Sequence, residues 1–232
     1  MIQQTLRHDF LHELHKLLRP ATYLEIGVQT GRSLAQAVPP TVAVGVDPAP
    51  QISVDIPVRY RIASMTSDEF FAESGAPGER LAPVDLAFID GMHLIEYALR
   101  DFIGVERLAR PDGRTVAVFD DVLPYTADIA GRTPLPGDWT GDVWKMIQIL
   151  DRWRPDLTVL VVNVPPTGAL VVLGLDPAST VLQGKYDELN AVYGHEFGGA
   201  VTASSISYES RHSIGPAAAL REIRNHLNIT EA

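Results

Sequence analysis

The sequence predicts an α/β fold: a doubly wound, mostly parallel sheet of seven strands ending in an antiparallel hairpin. Three observations carry that expectation. Short, almost uniformly apolar runs (TYLEI, TVAVGV, VDLAFI, TVAVF) alternate with segments of helical period. That is the pattern of strands covered on both faces. Glycine or aspartate follows most of these runs, at the strand ends where such sheets place ligands. Two later apolar runs, LTVLVVNV and ALVVLGL, are separated only by PPTG, a hairpin spacing.

The elements follow in order. Leu6, Phe10, Leu14 and Leu17 share one helical face, and Pro20 ends that helix. His8, His12 and His15 share a face away from it, at a spacing that could ligate a metal but that reads first as a solvated polar face. TYLEIG is a strand entering a turn, and Ser33 to Val38 reads as a helix stopped by Pro39 and Pro40. TVAVGVD and VRYRIA are the second and third strands. Thr66 and Glu69 form a capping box that opens a helix through Phe70 and Phe71. AESGAPGERLAP is a loop, and VDLAFID is a fourth strand ending in Asp90. Leu94, Ala98, Phe102 and Val105 mark the next helix, before PDG turns into TVAVFDD, the fifth strand. Tyr125 to Gly141 is rich in Gly, Pro and Asp, a length that suits a lid or binding loop. Val143 to Trp153 is helical, and the tail holds short helices at Tyr186–Tyr193 and Pro216–Leu227. The chain divides into an N-terminal helix (1–20), a ligand-binding domain (21–176) and a C-terminal extension of the same domain (177–232).

Composition narrows the function. The 232 residues carry a net charge of -10 and no cysteine. Such acidity lacks the electrostatic footprint of a duplex nucleic-acid binder and suits an anionic membrane surface poorly. Disulfides, thiolate metal sites and cysteine nucleophiles are excluded, which fits a reducing cytoplasm. The first residues, MIQQTLRHDF, are too polar for a secretory signal. The longest apolar stretch, Leu157 to Leu175, is interrupted by Asn163, Pro165, Pro166 and Gly168, so no bilayer span is expected. The expected partner is a small molecule. The first helix and the tail each offer a face for a homo-oligomer.

The segment LEIGVQTGRSL is a strand-turn-helix junction with glycines at 27 and 31. Glycine there allows a tight turn and close approach of backbone to ligand. Asp47 lies about twenty residues on, where an acid accepts hydrogen bonds from ribose hydroxyls. Gln29 stands where the second glycine of a dinucleotide fingerprint belongs, which disfavours NAD. There is no G-K-[ST], which excludes a P-loop.

LEIGVQTGRSL resembles motif I of class I S-adenosylmethionine-dependent methyltransferases, in the E-I-G-x-x-x-G-x-S form of the methyltransferase 24 family. FIDGMHLIEYALRDF, VFDDVLP and WTGDVWK fit the same group, in the same order. The resemblance covers Tyr23 to Leu175 and implies a Rossmann-like fold and methyl transfer to a small molecule, most readily at oxygen. It implies that Glu25 and Gly27 lie against the methionine part of S-adenosylmethionine, with Gly31 and Ser33 in the same turn. Asp47 would meet the ribose, Met65 and Ser67 would border the adenine, and Asp90 would face the cofactor.

Asp90 ends the fourth strand, and Asp120 and Asp121 end the fifth. Three converging carboxylates repel unless some protonate or a cation joins them, and Mg²⁺ suits carboxylate oxygens. The arrangement resembles the metal site of catechol O-methyltransferase-like enzymes and of related macrolide-sugar methyltransferases and cephalosporin hydroxylase-like proteins. Many members of the methyltransferase 24 group have His where Asp120 stands. The alternative is that Asp120 or Asp121 simply caps a turn. His93, with Asp121, is a candidate proton acceptor; the alternative for His93 is a helix cap. His195 and Glu196 could line the substrate side, Trp139 could close over an apolar substrate or serve only in packing, and Trp144 reads as core. Asp142 and Lys145 either reach the site or pair on a helix surface. Rival functions are a hydroxylase-like enzyme on the same scaffold and a non-catalytic cofactor-binding subunit. The former lacks a 2-His-1-carboxylate pattern here.

Overall fold

The computed structural model describes residues 6–73, 82–195 and 212–230. Its strands are β1 (Thr22–Ile26), β2 (Val42–Val46), β3 (Arg59–Ala63), β4 (Leu86–Ile89), β5 (Val116–Asp120), β6 (Thr158–Val162) and β7 (Ala169–Leu173). The helices among the described residues are α1 (Arg7–Leu18), α2 (Ser67–Glu73), α3 (Ile95–Arg107), α4 (Lys145–Trp153), α5 (Val181–Gly184), α6 (Tyr186–Tyr193) and α7 (Pro216–His226). None of them is long and apolar enough to cross a membrane.

The strands form one seven-stranded sheet in the order β3-β2-β1-β4-β5-β7-β6. β1 to β5 run parallel, and β7 pairs antiparallel with both β5 and β6. The second arm of the expected hairpin, not the first, pairs with β5, and the first arm forms the edge. β7 is buried along its whole length, whereas β6 is mostly half-buried at the edge.

β1 lies between β2 and β4, so chain direction across the sheet reverses there. That crevice is where open α/β sheets take ligands. Register aligns the carboxyl ends: Ile26 sits opposite both Val46 and Ile89, and Ile89 opposite Phe119. Gly27, Asp47 and Asp90 therefore emerge side by side.

Alternation along the strands splits the core in two. Leu24, Ile26, Ala87, Ile89, Ala117 and Phe119 pack under α2, α3, α4 and α6. Tyr23, Leu86, Phe88, Val116 and Val118 pack under α1 and α7. α1 is held on two sides, and this corrects one expectation. His15 is fully buried, not solvated, with its ring edge-on to Tyr23 at 4.5 Å. Burial, then the charge of His12, pushes it down to about 3, so it stays neutral. The helix expected over Ser33 to Val38 is a single 3₁₀ turn, Leu34–Gln36, cut short by the prolines at 39 and 40.

α3 and α4 are tied by a buried ion pair. Arg154 is 1% exposed and donates from one nitrogen to both oxygens of Glu106 at 2.7 Å. Removing one partner of such a pair strands the other charge, at a cost of about 3–5 kcal/mol. Arg154→Met is expected to lower stability by that order in urea unfolding. A loss under about 1 kcal/mol would show that the pair contributes little.

Candidate active site

A cavity of about 740 Å³ opens over the carboxyl ends of the strands. One wall is the turn after β1. Gly27 has φ +84°, and a Cβ there would overlap the carbonyl of Asp90. Only glycine lets the β1 and β4 ends pass this closely. Asp47 fixes the same turn: its Oδ2 accepts from the Val28 and Gln29 amides at 3.0 and 2.7 Å, and its Oδ1 from the Ala49 amide at 2.7 Å. Gly27, Gln29, Thr30, Ser33 and Asp47 line the cavity. Gly31 takes the turn at φ +83° behind them.

A second wall follows β3. Thr66 and Glu69 form the expected capping box, with the Thr66 amide donating to Glu69 at 2.9 Å and the Glu69 amide to Thr66 at 3.3 Å. Thr66, Ser67 and Asp68 line the cavity, while Met65 packs against the core beside it.

Glu25 is placed differently. Strand alternation turns it to the α1 side, fully buried and away from the cavity lining. The Tyr23 hydroxyl donates to its Oε2 at 2.6 Å, and its Oε1 has no hydrogen-bond partner among the described residues. Burial pushes its carboxyl up to about 8, with the Tyr23 bond opposing the shift and the Asp90 charge adding to it.

Asp90, His93 and Asp121 meet at the far corner. Each offers one atom, and these atoms lie within 4.8 Å of one another. His93 Nε2 is 3.4 Å from Asp90 Oδ1 and 3.3 Å from Asp121 Oδ2. Asp121 has φ +63° and accepts from the Thr167 hydroxyl at 2.6 Å. That left-handed turn, which aspartate tolerates better than most residues, aims its carboxylate into the cavity.

Asp120 does not join them. Neighbouring strand residues face opposite sides, so Asp120 points toward α1. It is buried there and forms an ion pair with Arg7, which also lies 3.8 Å from Asp90. The histidine takes the third place that the sequence pattern gave to Asp120.

Burial opposes charge on His93, but Asp90, Asp121 and the Trp139 carbonyl overcome it and push its pKa up to about 9. Burial and then the charge of Asp90 push Asp121 up to about 6, against His93, Thr167 and Arg7. At neutral pH the corner holds an imidazolium between carboxylates.

The loop over residues 125–141 supplies the roof. Gly137, Asp138 and Trp139 line the cavity. His93 Nδ1 donates to the Trp139 carbonyl at 2.7 Å, and the two rings stack at 5.4 Å. Trp139 is thus part of the site and not only a packing residue. Trp144 is buried, and His195 is exposed. Glu196 lies outside the described residues. Sequence reasoning missed Arg7, His8, Arg32 and Thr167, all of which line the cavity. No spacing pattern links α1 or residue 167 to the strand ends, and only the tertiary fold joins them.

Residues 24–122 match the methyltransferase 24 family, described as a methyltransferase domain. The chain carries a methyltransferase domain. No curated protein matches it. Among solved structures, this methyltransferase shares its fold with an O-methyltransferase from Bacillus cereus in complex with SAH, at 16% identity and a TM-score of 0.54, covering 72% of this chain and 80% of the other. The O-methyltransferase TomG from Streptomyces achromogenes, with SAM bound, is 20% identical with a TM-score of 0.52, over 72% and 79% of the two chains. Cofactor-bound Rv0187 from MTB is 21% identical with a TM-score of 0.56, over 73% and 80%.

The histidine's raised pKa makes stability depend on pH. A group whose pKa rises on folding stabilises fully below its unfolded value of about 6.5, and the contribution fades as pH climbs through about 9. Wild-type methyltransferase is therefore expected to exceed His93→Gln in stability most at pH 6, with the gap closing by pH 10, measured by urea unfolding across that range. A gap independent of pH would show that His93 is not held charged.

Proposed function

We propose that this chain transfers a methyl group from S-adenosylmethionine to an oxygen of a small-molecule acceptor. One observation carries the reading. A single cavity joins the Gly27–Ser33 turn and Asp47 to the Asp90, His93 and Asp121 corner. The likeness to O-methyltransferases with SAM or SAH bound supports it.

The cofactor supplies an electrophilic methyl group on a cationic sulfur. In this reading Gly27 and Ser33 border its methionine part, Asp47 its ribose, and Thr66 to Asp68 its adenine. Asp47 Oδ1 accepts one backbone bond and retains lone pairs for a hydroxyl. The acidic rim of Asp47, Asp68, Asp90, Asp121 and Asp138 favours a cationic ligand. Most of the protein's contribution is positioning two bound reactants in line.

A neutral hydroxyl attacks poorly, so its proton must leave. His93 is already charged, which leaves Asp121, with a pKa of about 6, as the carboxylate ready to accept it. Two carboxylates and one imidazole at this spacing also fit a divalent ion such as Mg²⁺. Asp90, His93 and Asp121 would hold it, and it would lower the acceptor's pKa. His93 must give up its proton to serve as a ligand, so ion affinity would rise with pH.

The test uses S-adenosylmethionine labelled in its methyl group with a panel of small phenols, catechols and sugars, with Mg²⁺ or with EDTA. The reading expects label on acceptor oxygen, and a loss of about 100-fold or more in Asp121→Asn. Label confined to nitrogen acceptors, or full activity in Asp121→Asn, would contradict it. Activity that survives EDTA unchanged would remove the ion from the mechanism and leave Asp121 as the proton acceptor.

A further inference from the structure

The roof loop is fastened by one buried carboxylate. Asp142 is 1% exposed, and its carboxylate accepts three bonds. Its Oδ1 accepts from the Ile95 amide at 2.7 Å, which caps α3. Its Oδ2 accepts from Arg132 and from Lys145, both at 2.7 Å. Its own amide donates to the His93 carbonyl at 3.1 Å. Gly141, next to it, has φ +55°, and a Cβ there would overlap the same His93 carbonyl.

Arg132 comes from the loop itself. It bridges Asp142 and Glu96, reaching the latter at 2.6 and 3.0 Å from two nitrogens. The loop is also braced within. The Trp139 indole donates to the Gly131 carbonyl at 2.7 Å, beside Arg132, and the Thr140 amide donates to Ile129 at 3.0 Å. Trp139 in turn receives His93 Nδ1. Fixing Arg132 therefore fixes the indole and the imidazole together. Lys145 extends the network to the end of α6, donating to the Tyr193 and His195 carbonyls at 2.8 and 2.9 Å. Two acids and two cations balance in a site that is largely shielded from water, where such bonds gain strength.

We propose that Arg132 and Asp142 are positioning residues whose ion pair latches loop 125–141 over the cavity and sets His93 and Trp139 as the wall facing the acceptor. The inference rests on the reading of this cavity as the methyl-transfer site. It gives the WTGDVWK motif a role: its aspartate anchors the roof and its lysine ties that anchor to the C-terminal segment.

Hydrogen exchange of the full chain tests it, comparing wild type with Arg132→Met, Arg132→Lys and Asp142→Asn. An asparagine at 142 keeps an oxygen for the Ile95 amide, so the α3 cap survives while the ionic latch is lost. The latch predicts at least tenfold faster exchange across 125–141 in Arg132→Met and Asp142→Asn, with β1 and β2 unchanged. It also predicts weaker shielding of Trp139 emission from acrylamide in both, and partial recovery of both signals in Arg132→Lys. Wild-type exchange in Arg132→Met would reduce Asp142 to a helix cap and overturn the proposal. Faster exchange spread over the whole sheet would overturn it too, by making Arg132 a general stability residue. Wild-type titration with S-adenosylhomocysteine separates the two readings: no binding there counts against the methyltransferase function, while the exchange pattern alone decides the latch.

Discussion

The close passage of two strand ends governs this molecule. Beyond β1 the chain turns at Gly27 against the carbonyl of Asp90, in a gap that admits no side chain. The Gly27 amide donates to Val46 and the Asp90 amide to Ile26, both at 2.9 Å. Three parallel strands are thereby locked at one level. The strand-end acids of the cavity are positioned from that level: Asp47 from β2, Asp90 from β4, and Asp121 from the end of β5.

Charge is then distributed by the two faces of the sheet. Asp120 turns to the α1 side and meets Arg7; Asp121 turns into the cavity and meets His93. Five aspartates line this cavity, and the cost is contained because Asp68, Asp90 and Asp121 each have a cation within 4 Å. The outcome is an acidic crevice with one imidazolium at its end. A cationic cofactor with a hydroxyl acceptor suits that field.

Much of this was legible in the sequence, for physical reasons that can be named. The strand runs were apolar enough to show burial on both faces, so the seven strands and the hairpin followed. Gly27, Asp47, Asp90 and His93 stood in motifs whose chemistry depends on local backbone geometry, and local geometry is what a sequence encodes most directly. The failures were non-local. Asp120 was grouped with Asp121 because adjacency in sequence was read as adjacency in space, against the alternation of a strand. Glu25 was placed against the cofactor, and the same alternation buries it beneath Tyr23. His15 was read as solvated, yet its ring packs edge-on against Tyr23 of β1, a contact that helical spacing alone does not reveal. Arg7 left no signal at all, since its partner lies on another element.

The measurement that tests the account most directly is calorimetric titration of the purified protein with S-adenosylhomocysteine, beside NAD as a control. The account predicts micromolar binding of S-adenosylhomocysteine and none of NAD, whose pyrophosphate would have to pass Gln29. Binding of NAD without S-adenosylhomocysteine would contradict it, and the turn at Gly27 and the acid at Asp47 would then serve a different nucleotide.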